Sequence, residues 1–331
     1  MKSDGPENRF AAAFVKVFFA TNRKIKGSSL PVQFDVERRK EGAYYGTVYV
    51  DVPVRRSVGS LTGVKVLKTA LHEKEHYFSL IRNEASAAKA TQAFIFIHGF
   101  NVSFDDAARR TAQIKVDTHF DGPALFFSWP SQASSGAYYT DEAMVKLTLP
   151  LLKSFLLDAA SQLKVDRIHV IAHSMGTYAL SEAVRELGLA EQLKTPLFDQ
   201  VILAAADIDT EYFKERILPH FKASGRRLTM YASPNDFALT GSAIPSGRVR
   251  IGRDVDTVVS LMELEGIDAS SADCVAWWRP WEGWNHAYYG DVPAVLKDIQ
   301  LVLAGKSRED RVENKSLSRK PDRFVVSGDA P

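Results

Sequence analysis

The chain has 331 residues, of which 45% are hydrophobic and 25% charged, a composition that can bury one large core. Its formal net charge is only +2, and acidic and basic residues are mixed along the chain, so we expect neither nucleic acid nor an anionic membrane as a partner. No stretch reaches the roughly 18 consecutive apolar residues of a membrane-spanning helix. The single cysteine, Cys274, excludes an internal disulfide and favours a cytoplasmic location.

The sequence of the N-terminal part predicts a flexible tail followed by two antiparallel strands at one edge of the sheet. We expect residues 1–12 to form a flexible tail and residues 13–305 to form one domain. Apolar stretches near residues 15–20 and 47–52 predict two strands that pair in antiparallel fashion.

From residue 93 onwards, predicted strands and helices alternate. The strands are predicted over residues 93–97, 124–129, 167–172, 200–206 and 227–232, and the helices over residues 105–117, 141–163 and 175–187. This alternation predicts an α/β fold with a mostly parallel sheet and helices on both faces. We expect a last strand over residues 258–267 and a helix over residues 292–303. Residues 306–331 are polar with few apolar anchors and are predicted to be disordered.

Ser174 directly follows the apolar stretch Ile168-His169-Val170-Ile171-Ala172-His173. A serine on a tight turn from strand to helix needs small residues two positions before and after it, because backbone crowds both places. Ala172 and Gly176 meet this need, although alanine replaces the glycine of the usual G-x-S-x-G pattern. The pattern predicts a nucleophile elbow. The alternative is a serine that only caps the following helix.

Three further segments stand in an order that suits serine chemistry. A predicted strand ends in His98-Gly99, a second predicted strand is followed by a turn that contains Asp236, and His286 comes later in the chain. The order Ser174, Asp236, His286 is the order in which α/β-hydrolases carry their catalytic residues.

These residues give the chain a resemblance to the α/β-hydrolase superfamily, and within it to a bacterial esterase- or lipase-like family of unknown function. The resemblance covers most of the chain. Its motifs are Phe18-Phe19-Ala20-Thr21-Asn22-Arg23, Phe96-Ile97-His98-Gly99-Phe100-Asn101-Val102-Ser103-Phe104, Phe127-Ser128-Trp129-Pro130-Ser131 and Ala172-His173-Ser174-Met175-Gly176. The resemblance implies the fold and a catalytic serine, but almost nothing about the substrate.

A serine hydroxyl is a weak nucleophile at neutral pH and must pass its proton to a neutral imidazole. Only His220 and His286 follow Ser174 in the chain. His220 precedes the strand that leads to Asp236 and is expected on a helix surface, so His286 is the candidate base. The alternative role for His286 is to anchor its loop by packing.

Asp236 is the candidate for the acid that orients His286 and stabilises the imidazolium. Asp207 and Asp209, at the end of the preceding strand, are the rival acids. Asp236 stands in Ser-Pro-Asn-Asp, so the alternative is an aspartate that only forms a turn.

The oxyanion hole is expected to use the backbone N–H groups of Phe100 and Met175, with His98 as a brace of the first loop. Four of the five tryptophans lie within residues 277–284, immediately before His286. Trp281 and Trp284 are candidates for an apolar wall that binds substrate. Alternatively, these tryptophans anchor a long loop.

The segment His72-Glu73-Lys74-Glu75-His76 matches the zinc-binding pattern H-E-x-x-H of metalloproteases. On a helix the two histidines would share one face. Lys74 and Glu75 indicate a solvent-exposed surface, and the sequence offers no obvious third ligand nearby, so a solvated helix face is favoured and no metal is expected.

The sequence therefore predicts a serine hydrolase of the carboxylesterase type, which forms an acyl-enzyme on Ser174. No cofactor is implied, and the expected partner is a small-molecule ester or acyl substrate. Two alternatives stay open: a catalytically weak scaffold of the same fold that is used for binding, and a zinc peptidase that acts through His72 and His76. The oligomeric state is left open.

Overall fold

A computed structural model describes residues 12–27, 32–134, 136–193, 195–243, 247–272 and 285–327. Its strands are β1 (Ala12–Thr21), β2 (Arg23–Ile25), β3 (Phe34–Arg38), β4 (Tyr44–Pro53), β5 (Lys65–His72), β6 (Gln92–Ile97), β7 (Ala124–Ser128), β8 (Arg167–His173), β9 (Phe198–Ala204), β10 (Gly225–Ala232), β11 (Glu265–Asp268), β12 (Leu317–Arg319) and β13 (Phe324–Val326). Its α-helices are α1 (Lys74–Ala88), α2 (Phe104–Asp117), α3 (Tyr138–Gln162), α4 (Met175–Leu189), α5 (Thr210–Tyr212), α6 (Leu218–Ser224), α7 (Phe237–Ala243), α8 (Val255–Ser260), α9 (Tyr288–Asp291), α10 (Pro293–Leu303) and α11 (Arg308–Glu313).

Eleven of these strands form one sheet, in the order β12-β13-β11-β10-β9-β8-β6-β7-β1-β4-β5. The strands from β13 to β1 run parallel to one another, whereas β12 pairs with β13, and β4 with β1, in antiparallel fashion. The predicted α/β fold with an antiparallel N-terminal edge is therefore confirmed. Strand β5 extends that edge, and β2 and β3 form a separate two-stranded sheet.

The sheet is buried on both faces, as its apolar central strands require. In β6, Ile95 and Ile97 pack into a core shared with α1, α3 and α4. The alternate residues Phe94 and Phe96 pack into a second core, shared with α2 and α10. Successive side chains of a strand point to opposite faces, so an uninterrupted apolar run serves both cores.

The C-terminal segment corrects one prediction. Residues 308–326 form α11, β12 and β13, and β13 pairs with β11, so the expectation of a disordered tail is wrong for this segment. Leu317 and Val326 are buried in the core, and buried charge adds to their hold: the fully buried Arg311 donates to Asp298 at 2.8 and 3.0 Å and to Glu265 at 2.6 Å. Residues 328–331 lie outside the described residues, as do residues 1–11 of the predicted N-terminal tail.

The last predicted parallel strand is shorter than expected. The Asp254 carboxylate accepts a hydrogen bond from the Thr257 N–H at 3.1 Å and so caps α8, which takes residues 258–260 of the predicted strand. Only residues 265–268 join the sheet, as β11. Among the described residues, no helix combines the length and the apolar character needed to cross a membrane.

His169, in β8, is a fully buried titratable group at the end of the sheet where the parallel strands begin. Its Nε2 lies 3.2 Å from Gln92 Oε1. Burial lowers the pKa of His169 from 6.5 to about 4. Below about pH 6.5 the unfolded chain therefore binds a proton that the folded chain rejects, so acid lowers the free energy of unfolding.

We expect the His169→Gln variant, which still offers an N–H donor but cannot titrate, to lose less stability in acid than the unaltered protein. Between about pH 6.5 and 4 the difference should grow by up to about 1.4 kcal/mol per pH unit. Urea unfolding at several pH values measures this difference. Parallel pH profiles for the two proteins would contradict it.

Candidate active site

Ser174 occupies a strained turn between β8 and α4. Its φ of 52° and ψ of −127° lie where residues other than glycine are rarely found. The Ser174 N–H donates to the Ala204 carbonyl at 3.0 Å, and the Ser174 carbonyl accepts from the N–H and the hydroxyl of Thr177 at 2.9 and 2.6 Å. The Ser174 side chain makes no capping hydrogen bond to α4, so the alternative of a helix-capping serine does not hold.

Close backbone contacts explain the small residues around Ser174. A Cβ atom added to Gly176 would lie 2.4 Å from the carbonyl oxygen of His98 and 2.6 Å from that of Ile97. A Cβ atom added to Gly99 would lie 2.7 Å from the Cβ of Ser174 itself. The loop after β6 and the turn after β8 therefore touch, and both need glycine at the contact.

His286 and Asp236 are hydrogen-bonded to each other. The His286 Nδ1 lies 2.7 Å from Asp236 Oδ2, and the Leu239 N–H donates to Asp236 Oδ1 at 3.1 Å. Asp236 is fully buried, whereas 20% of the His286 side chain is exposed. The imidazole thus has one edge fixed by a buried carboxylate and another open to its surroundings.

His173 connects the His286 loop to the turn that holds Ser174. The His173 Nε2 donates to the His286 carbonyl at 3.0 Å, and the two rings lie 4.6 Å apart. Burial, reinforced by the neighbouring His286, holds the pKa of His173 well below its usual value, so this ring stays neutral. Because His173 directly precedes Ser174, this contact fastens the His286 loop to the turn that holds the serine.

Tyr288 fastens the same loop to two further strands. Its hydroxyl donates to the Tyr231 carbonyl of β10 at 3.0 Å and accepts from the Ala205 N–H, just after β9, at 3.1 Å. The ring is fully buried. Three neighbouring strand ends therefore fix the position of His286.

The rival acids are engaged elsewhere. Asp207 accepts a hydrogen bond from the Tyr138 hydroxyl at 2.8 Å and pairs with Arg250 at 3.2 Å. Asp209 caps α5 by accepting from the Tyr212 N–H at 2.8 Å.

The two expected oxyanion-hole donors belong to the two segments that meet at the serine. Met175 is the first residue of α4, and the N–H groups of a helix's first turn have no acceptor within the helix. Phe100 follows Gly99, the residue that closely approaches Ser174.

His98 lies behind this loop. It is fully buried, its Nδ1 donates to the Gly99 carbonyl at 2.8 Å, and its ring stacks on Trp129 at 5.1 Å. Burial, with a smaller contribution from the charge of Arg23, lowers the pKa of His98 to about 3. The ring is therefore neutral near pH 7, as a bracing role requires.

The H-E-x-x-H pattern does not form on one helix. His72 is the last residue of β5 and lies 3.0 Å from the Thr47 hydroxyl, whereas His76 belongs to α1, which begins after Glu73. The two histidines therefore do not share a helix face, which the zinc-peptidase alternative requires. Among the described residues, no group of three metal-ligating side chains occurs.

Trp281, Trp284 and Cys274 lie outside the described residues. The sequence predicts no role for Arg23, and for His173 only that of a buried strand or elbow residue, although both stand in motifs that carry the resemblance. Only the folded arrangement reveals what they contact.

Several solved esterases are similar to this structure at a distance. An esterase from Pyrococcus furiosus is 12% identical to this chain, with a TM-score of 0.33; the alignment covers 71% of this chain and 74% of the esterase. A thermostable esterase from Pseudomonas putida has 10% identity, 89% and 82% covered, and a TM-score of 0.35. A fungal esterase from Rhizomucor miehei has 8% identity, 72% and 71% covered, and a TM-score of 0.34. Likenesses this distant carry no argument about activity.

No curated protein sequence matches this chain. A family model described as "Alpha/beta hydrolase of unknown function (DUF900)" matches residues 74–304, well over half of the chain. The match spans the strained serine turn, the His286–Asp236 pair and the loop of Gly99, and the chain belongs to this family of α/β-hydrolases.

Proposed function

We propose that this protein is a serine hydrolase that cleaves small-molecule esters through an acyl-enzyme on Ser174. The observation that carries the proposal is the 2.7 Å hydrogen bond between His286 and the buried Asp236; His173 fastens the His286 loop to the strained turn of Ser174. Strained backbone of this kind persists where the surrounding structure enforces it, and it clusters at active sites.

The first half of the reaction uses His286 as a base. Because its Nδ1–H donates to Asp236, the Nε2 atom keeps a lone pair that can accept the Ser174 proton. The serine oxygen then attacks the ester carbonyl, and the N–H groups of Phe100 and Met175 stabilise the developing oxyanion. The intermediate collapses as His286 returns the proton to the leaving alcohol.

The second half repeats the chemistry with water. His286 takes a proton from water, the hydroxide attacks the acyl-enzyme, and the released Ser174 oxygen regains a proton from the imidazolium. The products are a carboxylic acid and the free enzyme. We propose that Trp281 and Trp284 bind the apolar acyl or aromatic group of the substrate.

A catalytically weak binding scaffold is the weaker candidate. Binding alone would not require the fixed pair of His286 and Asp236, nor a serine that departs from ordinary backbone geometry at a cost of about 1–3 kcal/mol.

Replacement of the serine tests the nucleophile. We expect Ser174→Ala to lower turnover of a p-nitrophenyl ester by at least about 10³-fold, because no other group replaces the attacking oxygen. The melting temperature should stay near that of the unaltered protein, since one hydroxyl contributes little to packing. Undiminished turnover would contradict the proposal.

A pair of histidine variants tests the base. His286→Ala should abolish ester turnover, whereas His220→Ala should leave it within about twofold, because His220 lies on α6 and contacts Gly188 of α4. Initial rates at saturating ester give the comparison. The reverse ranking would exclude His286 as the base.

Three isosteric variants test the acid. Asp236→Asn keeps the side-chain volume but favours the wrong tautomer of His286, and a loss of kcat on the order of 10⁴-fold accompanies this change in a triad elsewhere. Asp207→Asn and Asp209→Asn should cost much less, since both carboxylates have other partners. A smaller loss at Asp236 than at either rival would transfer the role to that rival.

A further inference from the structure

Arg23 is a buried cation close to the loop that carries Phe100. Its side chain is almost fully buried, with 1% of the residue exposed. The guanidinium donates to the Ser128 hydroxyl at 2.9 Å and to the backbone carbonyls of Ser131 and Val102 at 3.1 and 2.7 Å, all of them neutral acceptors. Burial lowers the pKa of Arg23 to about 10, so it remains charged near pH 7.

The hydrogen bonds that leave Arg23 have a defined direction. The Gly99 carbonyl can only accept, so His98 must carry its proton on Nδ1 and offers Nε2 as an acceptor. Ser128 Oγ, 3.3 Å from that Nε2, therefore donates to it, and Ser128 in turn accepts from Arg23 Nε. The chain of donors runs from Arg23 through Ser128 and His98 to the Gly99 carbonyl.

This chain ends on the peptide group that contains a proposed oxyanion donor. The Gly99 carbonyl and the Phe100 N–H belong to one planar trans peptide unit, in which the two bonds point in opposite directions. A hydrogen bond that fixes and polarises the carbonyl therefore also fixes and polarises the N–H. Successive hydrogen bonds strengthen one another where the local dielectric is low.

We propose that Arg23 and Ser128 are positioning residues, which act through His98 to orient the Phe100 N–H towards the oxyanion that forms at Ser174. This role rests on the proposed esterase function. It assigns Arg23 of the motif Thr21-Asn22-Arg23 a part in stabilising the transition state, although Arg23 does not touch the reacting atoms.

A purely structural role makes a different prediction. Arg23 also clamps the carbonyls of Ser131 and Val102, and those contacts would hold the loop without any help from Ser128. Removing the Ser128 hydroxyl breaks the donor chain and leaves that clamp in place. Ser128→Ala is therefore the informative variant.

The matched control is Ser181→Ala. Ser181 is also fully buried, and its hydroxyl has no hydrogen-bond partner among the described residues. Both variants remove one buried hydroxyl, but only Ser128 belongs to the donor chain.

We expect Ser128→Ala to lower kcat by about tenfold or more while KM stays within about twofold, because the lost interaction acts on the oxyanion and not on the bound ester. Loss of a whole oxyanion donor costs about 10²–10³-fold in kcat, and a misaligned donor should cost less. Affinity for a trifluoromethyl ketone, which forms a charged hemiketal on serine, should fall in parallel with kcat. Ser181→Ala should leave kcat, KM and ketone affinity within about twofold.

The proposal is overturned if Ser128→Ala keeps kcat within twofold, or if its loss equals that of Ser181→Ala. If Ser128→Ala does not fold, Ser128→Cys replaces it, because a thiol has a similar shape but is a weak hydrogen-bond donor. We expect kcat of Ser128→Cys to fall several-fold, and an unchanged kcat overturns the proposal. If the Ser174→Ala variant instead turns over ester as fast as the unaltered protein, the proposed esterase function is refuted. The two failures are therefore distinguishable.

Discussion

The backbone of Ser174 is the constraint on which the candidate site depends. A φ of 52° costs a residue other than glycine about 1–3 kcal/mol, so its surroundings must hold it there. Ala204 and Thr177 do this through hydrogen bonds on the two sides of the serine. Gly99 and Gly176 leave the space that the turn needs, since a Cβ atom at either would come within 3.0 Å of a neighbour. The small residues around the serine are thus a packing requirement.

The parallel sheet brings the other groups to the same edge. Strands β8, β9 and β10 are neighbours, and the carboxyl ends of parallel strands meet where open α/β sheets bind ligands. Ser174 follows the first of these strands and Asp236 the last. His286 comes from a segment far along the chain, and its contacts through His173 and Tyr288 fasten it to those strand ends. The arrangement joins three strand ends and one loop.

Sequence patterns predict the parts of this fold that rest on apolar periodicity. The central strands and the helices between them stand within a few residues of their predicted bounds, and the small neighbours of Ser174 point to its turn. Patterns fail where polar groups determine structure. Arg311 and Asp298 help to order a segment whose composition predicts disorder, and the helix that Asp254 caps takes the start of a predicted strand. Arg311 and Asp298 are separated in the sequence, and the Asp254 cap competes with the strand propensity of the residues that follow it, so composition does not reveal either effect.

The central claim is that Ser174 is the nucleophile, and covalent labelling tests it most directly. Fluorophosphonates react with serines that an adjacent base activates. The native protein would be treated with such a reagent, digested, and analysed by mass spectrometry to locate the adduct. We expect one adduct per chain, on Ser174, and no labelling when the protein is denatured first. An adduct on another residue, or none on the native protein, would contradict the claim.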